Sequence, residues 1–124
     1  GKPSGYWING NSLLYLKIKK QIRYQGTTQG NGIMVPKYGC DSLLLGKHVY
    51  KNICAFTKNA GIRPEFYHIA YLDGENSVAI ISLAQLNTLL EKGYNGIAIG
   101  EYPGKRPDLP NRYMIPVTCF KEYH

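Results

Sequence analysis

Residues 63–83 read Arg-Pro-Glu-Phe-Tyr-His-Ile-Ala-Tyr-Leu-Asp-Gly-Glu-Asn-Ser-Val-Ala-Ile-Ile-Ser-Leu, and this stretch decides the fold class. Aromatic and β-branched residues fill residues 63–72 and 77–83, which reads as two strands. Between them Asp73-Gly74-Glu75-Asn76 contains Asp-Gly, a strong hairpin signal. Ser82 and Gln85 then have the spacing of a capping box, in which each side chain satisfies the other's backbone N–H. They open a short helix over Leu83–Lys92, closed by Gly93. A hairpin running straight into a helix predicts an α+β domain.

Upstream, helix signals start near Asp41 and Ser42. Val49, Ile53, Phe56 and Ala60 recur at helical spacing, and Gly61 suits the position just past the helix end. Lys47, Lys51 and Lys58 fall together on another face. Earlier still, residues 14–24 alternate. Leu14, Leu16, Ile18 and Ile22 should be buried, while Lys17, Lys19 and Arg23 form a wet basic face of one strand. Lys20 breaks the row, which predicts a twist, a bulge or an edge there. Residues 25–32 form a turn-rich loop, and Ile33-Met34-Val35 a short strand ended by Pro36. Downstream, Ile97-Ala98-Ile99 reads as a short strand. Residues 103–110 form a basic, Pro-rich loop with Lys105 and Arg106. A last strand covers residues 113–120, weakened by Pro116. The expected architecture is one α+β domain over residues 1–124, with a central mixed β-sheet, one main amphipathic helix and one short helix.

Charge narrows the function. The 124 residues carry 15 Lys+Arg against 8 Asp+Glu, a net +7. Residues 1–40 hold Lys2, Lys17, Lys19, Lys20, Arg23 and Lys37 and no acid; the first carboxylate is Asp41. A segment of one sign makes a local positive field, whose commonest biological partner is a polyanion. The 11 tyrosines add rings that could stack on unpaired bases. No run approaches the ~20 apolar residues of a bilayer span, so no membrane partner is expected. Nor does a basic stretch followed by an apolar one suggest a signal peptide. The three cysteines, Cys40, Cys54 and Cys119, are odd in number and have no zinc spacing. Reduced, partly buried thiols suit a cytoplasmic location.

From residue 33 onward the order is strand, helix, strand, hairpin turn, strand, short helix, basic loop, strand. The segments carrying it are Ile33-Met34-Val35-Pro36-Lys37, the helix around residues 47–60, residues 64–71, residues 78–83 and residues 113–117. This order resembles the C-terminal two-thirds of the PD-(D/E)XK nuclease fold, as in small restriction enzymes and Holliday-junction resolvases. The resemblance implies a nuclease-like scaffold. It also implies an Asp and an acid-x-Lys that hold Mg²⁺ and orient the attacking water. Here Val35-Pro36-Lys37 stands at that tripeptide, so only Lys37 matches, with Asp41 as a displaced acid. The expectation is therefore no complete Mg²⁺ site and no cofactor.

Three functions fit. The first is a nucleic-acid-binding domain on a nuclease-like scaffold, DNA or RNA, contacting phosphates through Lys17, Lys19, Arg23, Lys47, Lys51, Lys58, Lys105 and Arg106. The second is a small basic nuclease of the metal-independent ribonuclease toxin type. Its catalytic candidates are Lys37, Asp41 and His68, with His48 and Thr28 as further groups for the same chemistry, because acid–base work on a 2′-hydroxyl needs such side chains. The third is a protein-interaction module whose basic face takes an acidic partner.

Overall fold

The computed structural model describes the backbone of residues 6–9, 12–18, 21–24, 27–28, 34–35, 40–72 and 78–123, and side chains within residues 41–70 and 79–121. The fold is α+β. A mixed five-stranded sheet contains β1 (Tyr6–Asn9), β2 (Ser12–Ile18), β7 (Tyr67–Leu72), β8 (Val78–Ser82) and β11 (Lys121–Tyr123), in that spatial order. Its β2–β7 pair is parallel and its other pairs are antiparallel. A second sheet, antiparallel throughout, has the order β3 (Gln21–Tyr24), β6 (Cys40–Gly46), β10 (Arg112–Pro116) and β9 (Glu101–Tyr102). The short strands β4 (Thr27–Thr28) and β5 (Met34–Val35) pair only with each other. Helices α1 (Lys47–Ala60) and α2 (Leu83–Lys92) complete the fold. Among the described residues no helix is long and apolar enough to cross a membrane.

The core joins both sheets and both helices. Leu43 and Leu45 of β6 and Ile115 of β10 meet Tyr67 and Ile69 of β7, Ile81 of β8, Ile53 of α1 and Leu86 of α2. Burying one such aliphatic side chain contributes about 1.5–3 kcal/mol. Tyr50 of α1 also donates its hydroxyl to Asn87 Oδ1 of α2, which ties the helices to each other.

The main helix starts later than expected. Residues 41–46 belong to β6, the second strand of its sheet, and Ser42 to Gly46 are all buried. A strand covered on both faces carries a continuous apolar run, here Leu43-Leu44-Leu45, which lacks the alternation that marks a half-buried strand. The helix begins once Gly46 has paired with Arg112 and the N–H of Lys47 has reached Asn111 O at 2.9 Å. Its end is as expected. Gly61 has φ 68°, its N–H meets Lys58 O, and the N–H of Ile62 meets Thr57 O. These two bonds form a Schellman motif, which favours glycine because a Cβ is strained at positive φ.

The second helix runs over the expected residues. Ser82 Oγ accepts the N–H of Gln85 at 3.1 Å, and Gln85 Oε1 accepts the N–H of Ser82 at 3.2 Å. The hairpin partners β7 and β8 pair antiparallel, and residues 73–77 between them lie outside the described residues.

Several expectations change. Residues 14–24 are not one strand: β2 and β3 lie in different sheets, so the break at Lys20 separates two elements. Residues 63–66 are not strand, because Pro64–Phe66 form a 3-10 turn before β7. Ile97 makes only an isolated bridge to Tyr94, and the strand of that region is Glu101–Tyr102. The strand from residue 113 stops at Pro116. A 3-10 turn over Val117–Cys119 follows, and the chain crosses to the other sheet as β11. Proline cannot donate the next ladder bond.

Candidate functional site

Lys17 and Arg23, predicted to share one strand face, stand on separate elements. Lys17 stands opposite Tyr71 in the five-stranded sheet, whereas Arg23 stands opposite Asp41 in the other. The two therefore share no strand face, and Lys19 lies outside the described residues. Lys47 is engaged within the fold. Its ammonium is 2.8 Å from Glu101 Oε2 and 5.6 Å from the centre of the Tyr113 ring. Lys51 and Lys58 are exposed on α1, and Lys105 and Arg106 on the 103–110 loop. Arg106 has Asp108 at 3.4 Å, an exposed pair that weakly offsets its charge.

The start of α1 and the 103–110 loop enclose a cleft of about 200 Å³. Its polar lining is His48, Lys105 and Arg112, with no acid. Arg112 is fixed by two bonds to Pro103 O, from Nε at 3.1 Å and Nη2 at 2.8 Å, and its guanidinium lies 5.3 Å from the Tyr102 ring centre. A second hollow of about 300 Å³, lined by Lys105, Arg106 and Asn111 among others, opens on the same loop. The loop is pinched at its neck. A Cβ on Gly104 would lie 2.5 Å from Pro110 O and 2.7 Å from Leu109 O. The first turn of α1 has neither an acidic residue nor a side-chain cap of its own.

A different cleft surrounds His68. It measures about 440 Å³ and is lined by Glu65, His68, Ile80, Ser82, Gln85 and Lys121 among others. The sheet register assembles it. His68 faces Ser82 across β7 and β8, and Lys121 faces Ile80 across β8 and β11. Side chains two apart on a strand share a face, so three strands deliver these residues to one side of the sheet. The 3-10 turn adds Glu65, which lies 3.8 Å from Arg63. Ser82 and Gln85 are held by the capping box. His68 Nδ1 is buried and has no hydrogen-bond partner among the described residues. Burial disfavours the imidazolium and lowers the pKa of His68 below its ordinary value, so the ring is neutral at neutral pH.

Of the three catalytic candidates, His68 lies in a cleft. Asp41 is exposed on β6 and lines neither this cleft nor the one at α1. Lys37 lies outside the described residues, and the strand before it, β5, is in neither large sheet. Among the described residues no group of three or more His, Cys, Asp or Glu is placed to hold a metal ion. Sequence reasoning missed Glu65, Lys121 and Arg112. For Lys121 the signal was Pro116, which marks where the last strand breaks and changes sheet. No family model, no curated protein and no solved structure matches this chain.

Proposed function

We propose that this chain is a nucleic-acid-binding domain that holds the phosphate backbone at the cleft between α1 and the 103–110 loop. The observation that carries the reading is the lining of that cleft: His48, Lys105 and Arg112 converge with no carboxylate among them. Lys51 of α1 and Arg106 of the loop are exposed and extend the positive charge. The net charge of +7 and the acid-free residues 1–40 act in the same direction. Phosphate contacts of this kind position a strand without reading its sequence. They release condensed counterions, so affinity falls steeply with salt.

The test is fluorescence anisotropy with labelled mixed-sequence RNA and DNA. The reading expects binding at ~50 mM salt that weakens by orders of magnitude by ~200 mM. Binding that is absent at low salt, or indifferent to salt, overturns it.

A further inference from the structure

Glu65, His68 and Lys121 come from three separate elements and line one cleft. None of them belongs to the cation-lined cleft at the start of α1. His48 and Val49 of the first turn of α1 line the first cleft, and Glu65 follows the last residue of α1 by five positions. A histidine kept for structure gives its ring nitrogens to the protein. Here Nδ1 has no partner among the described residues, although the ring lines an open cleft. Lys121 is exposed and brings a cation to the same cleft, where a phosphate would be attracted. Outside the lining of the cleft, Phe66, next to Glu65 in the chain, is one of two large apolar residues that are exposed among the described residues, and its ring lies 5.1 Å from the Arg63 guanidinium. A ring and guanidinium of this kind form a platform on which an unpaired base can stack.

We propose that this cleft cleaves RNA without a metal ion, with His68 as general base toward the 2′-hydroxyl. The proposal rests on the reading that the chain binds nucleic acid. In the step, His68 takes the proton of the 2′-hydroxyl and the 2′-oxygen forms a bond to the adjacent phosphorus. The bond from phosphorus to the 5′-oxygen breaks. Lys121 neutralises the charge gathering on the phosphoryl oxygens and supplies a proton to the departing 5′-oxygen. The products are a 2′,3′-cyclic phosphate and a strand with a 5′-hydroxyl. Water returns the proton from His68 to Lys121, so no further reactant is consumed. The groups around the imidazole set its pH response: Glu65 from the turn, Ser82 and Gln85 from the start of α2, and Lys121 from β11.

The experiment uses the full chain with labelled single-stranded RNA, and DNA of the same sequence, in EDTA. Cleavage is followed on gels and the RNA ends are identified by mass. The expected result is cleaved RNA with cyclic phosphate ends and intact DNA. His68→Gln should lower the rate by about 100-fold or more, the usual range for a general base, with RNA binding unchanged. The wild-type rate should rise with pH as His68 loses its proton and reach its plateau by neutral pH. RNA that is bound but uncut, cleavage that needs Mg²⁺, equal cleavage of DNA, or an unchanged His68→Gln rate each overturn the proposal and leave the binding reading standing. If RNA is not bound at all, both fall. Should His68→Gln fail to fold, Lys121→Gln at the exposed β11 position decides. A loss of about 10-fold or more supports the site, and an unchanged rate with a flat pH profile overturns it.

Discussion

Lys47 and Glu101 form an ion pair of 2.8 Å that joins the first residue of α1 to β9. Asn111 completes the link, with its side-chain amide donating to Glu101 Oε1 at 3.2 Å and its carbonyl accepting the N–H of Lys47 at 2.9 Å. This network fixes the start of α1 against the strand that leads into the basic loop. It also removes Lys47 from the cations available to a ligand.

The pair has a defined pH response. The hydrogen bond to Glu101 raises the Lys47 pKa against a smaller effect of burial. Burial pushes the Glu101 carboxyl up, but the hydrogen bonds from Lys47 and Asn111 and the charge of Lys47 together hold it below its ordinary value. The carboxylate's contribution is therefore present above the unfolded carboxyl pKa and lost as pH falls through the lower folded value. The ammonium's contribution is present below the unfolded lysine pKa and lost as pH rises through the higher folded value. Both side chains are about a third exposed, so screening limits Glu101→Gln to about 1 kcal/mol or less. Urea melts of wild type and Glu101→Gln should differ by a constant amount from pH 6 to 9, and the gap should close in acid. A gap that widens in acid contradicts the pairing.

The loop neck gives a second prediction. Gly104→Ala places a methyl group against the backbone oxygens of Pro110 and Leu109. Backbone cannot yield as a flexible side chain can, so the 103–110 loop must open. The variant should lose about 1–3 kcal/mol, the usual cost of overpacking, and should bind nucleic acid more weakly. A variant with wild-type stability and binding shows that the neck does not hold the cleft.

Packing and capping predict a third set of values. Ile53 is fully buried in the core, so Ile53→Ala should cost about 2–5 kcal/mol. Ser82→Ala removes a capping box and should cost about 0.5–2 kcal/mol. Lys51→Ala, on the exposed face of α1, should stay within about 0.5 kcal/mol. Thermal melts of the three variants check this order, and a Lys51→Ala loss near that of Ile53→Ala would mean that α1 is rotated.

What was legible in the sequence were signals that act over a few residues. The Ser82–Gln85 box and Gly61 place helix ends through contacts within one turn, and both stand where expected. Signals that depend on the partner strand were not legible. The run Leu43-Leu44-Leu45 is strand because β3 and β10 flank β6, which residues 41–46 alone do not reveal. The His68 cleft shows this most sharply. A turn of four residues over 73–76 would have set His68 opposite Ile81. The observed register leaves five residues between the strands and sets it opposite Ser82. A slip of one residue moves a side chain to the other face of the sheet. Sequence reasoning could name His68 but not the residues that would surround it. The basic residues were visible as charge, while the engagement of Lys47 required Glu101, 54 positions away, to be brought beside it.

The most direct measurement is the slope of log affinity against log salt for mixed-sequence RNA, taken for wild type, Lys105→Ala/Arg106→Ala and Lys47→Ala. Each phosphate contact to a single strand contributes about 0.7 to the slope. The double variant should therefore lose roughly 1.4 from the slope magnitude, with similar losses of affinity across sequences. Lys47→Ala should leave the slope unchanged, because its charge is held by Glu101. If the double variant keeps the wild-type slope, or Lys47→Ala reduces it as much as the loop variant does, the cleft beside α1 is not where the phosphates are held.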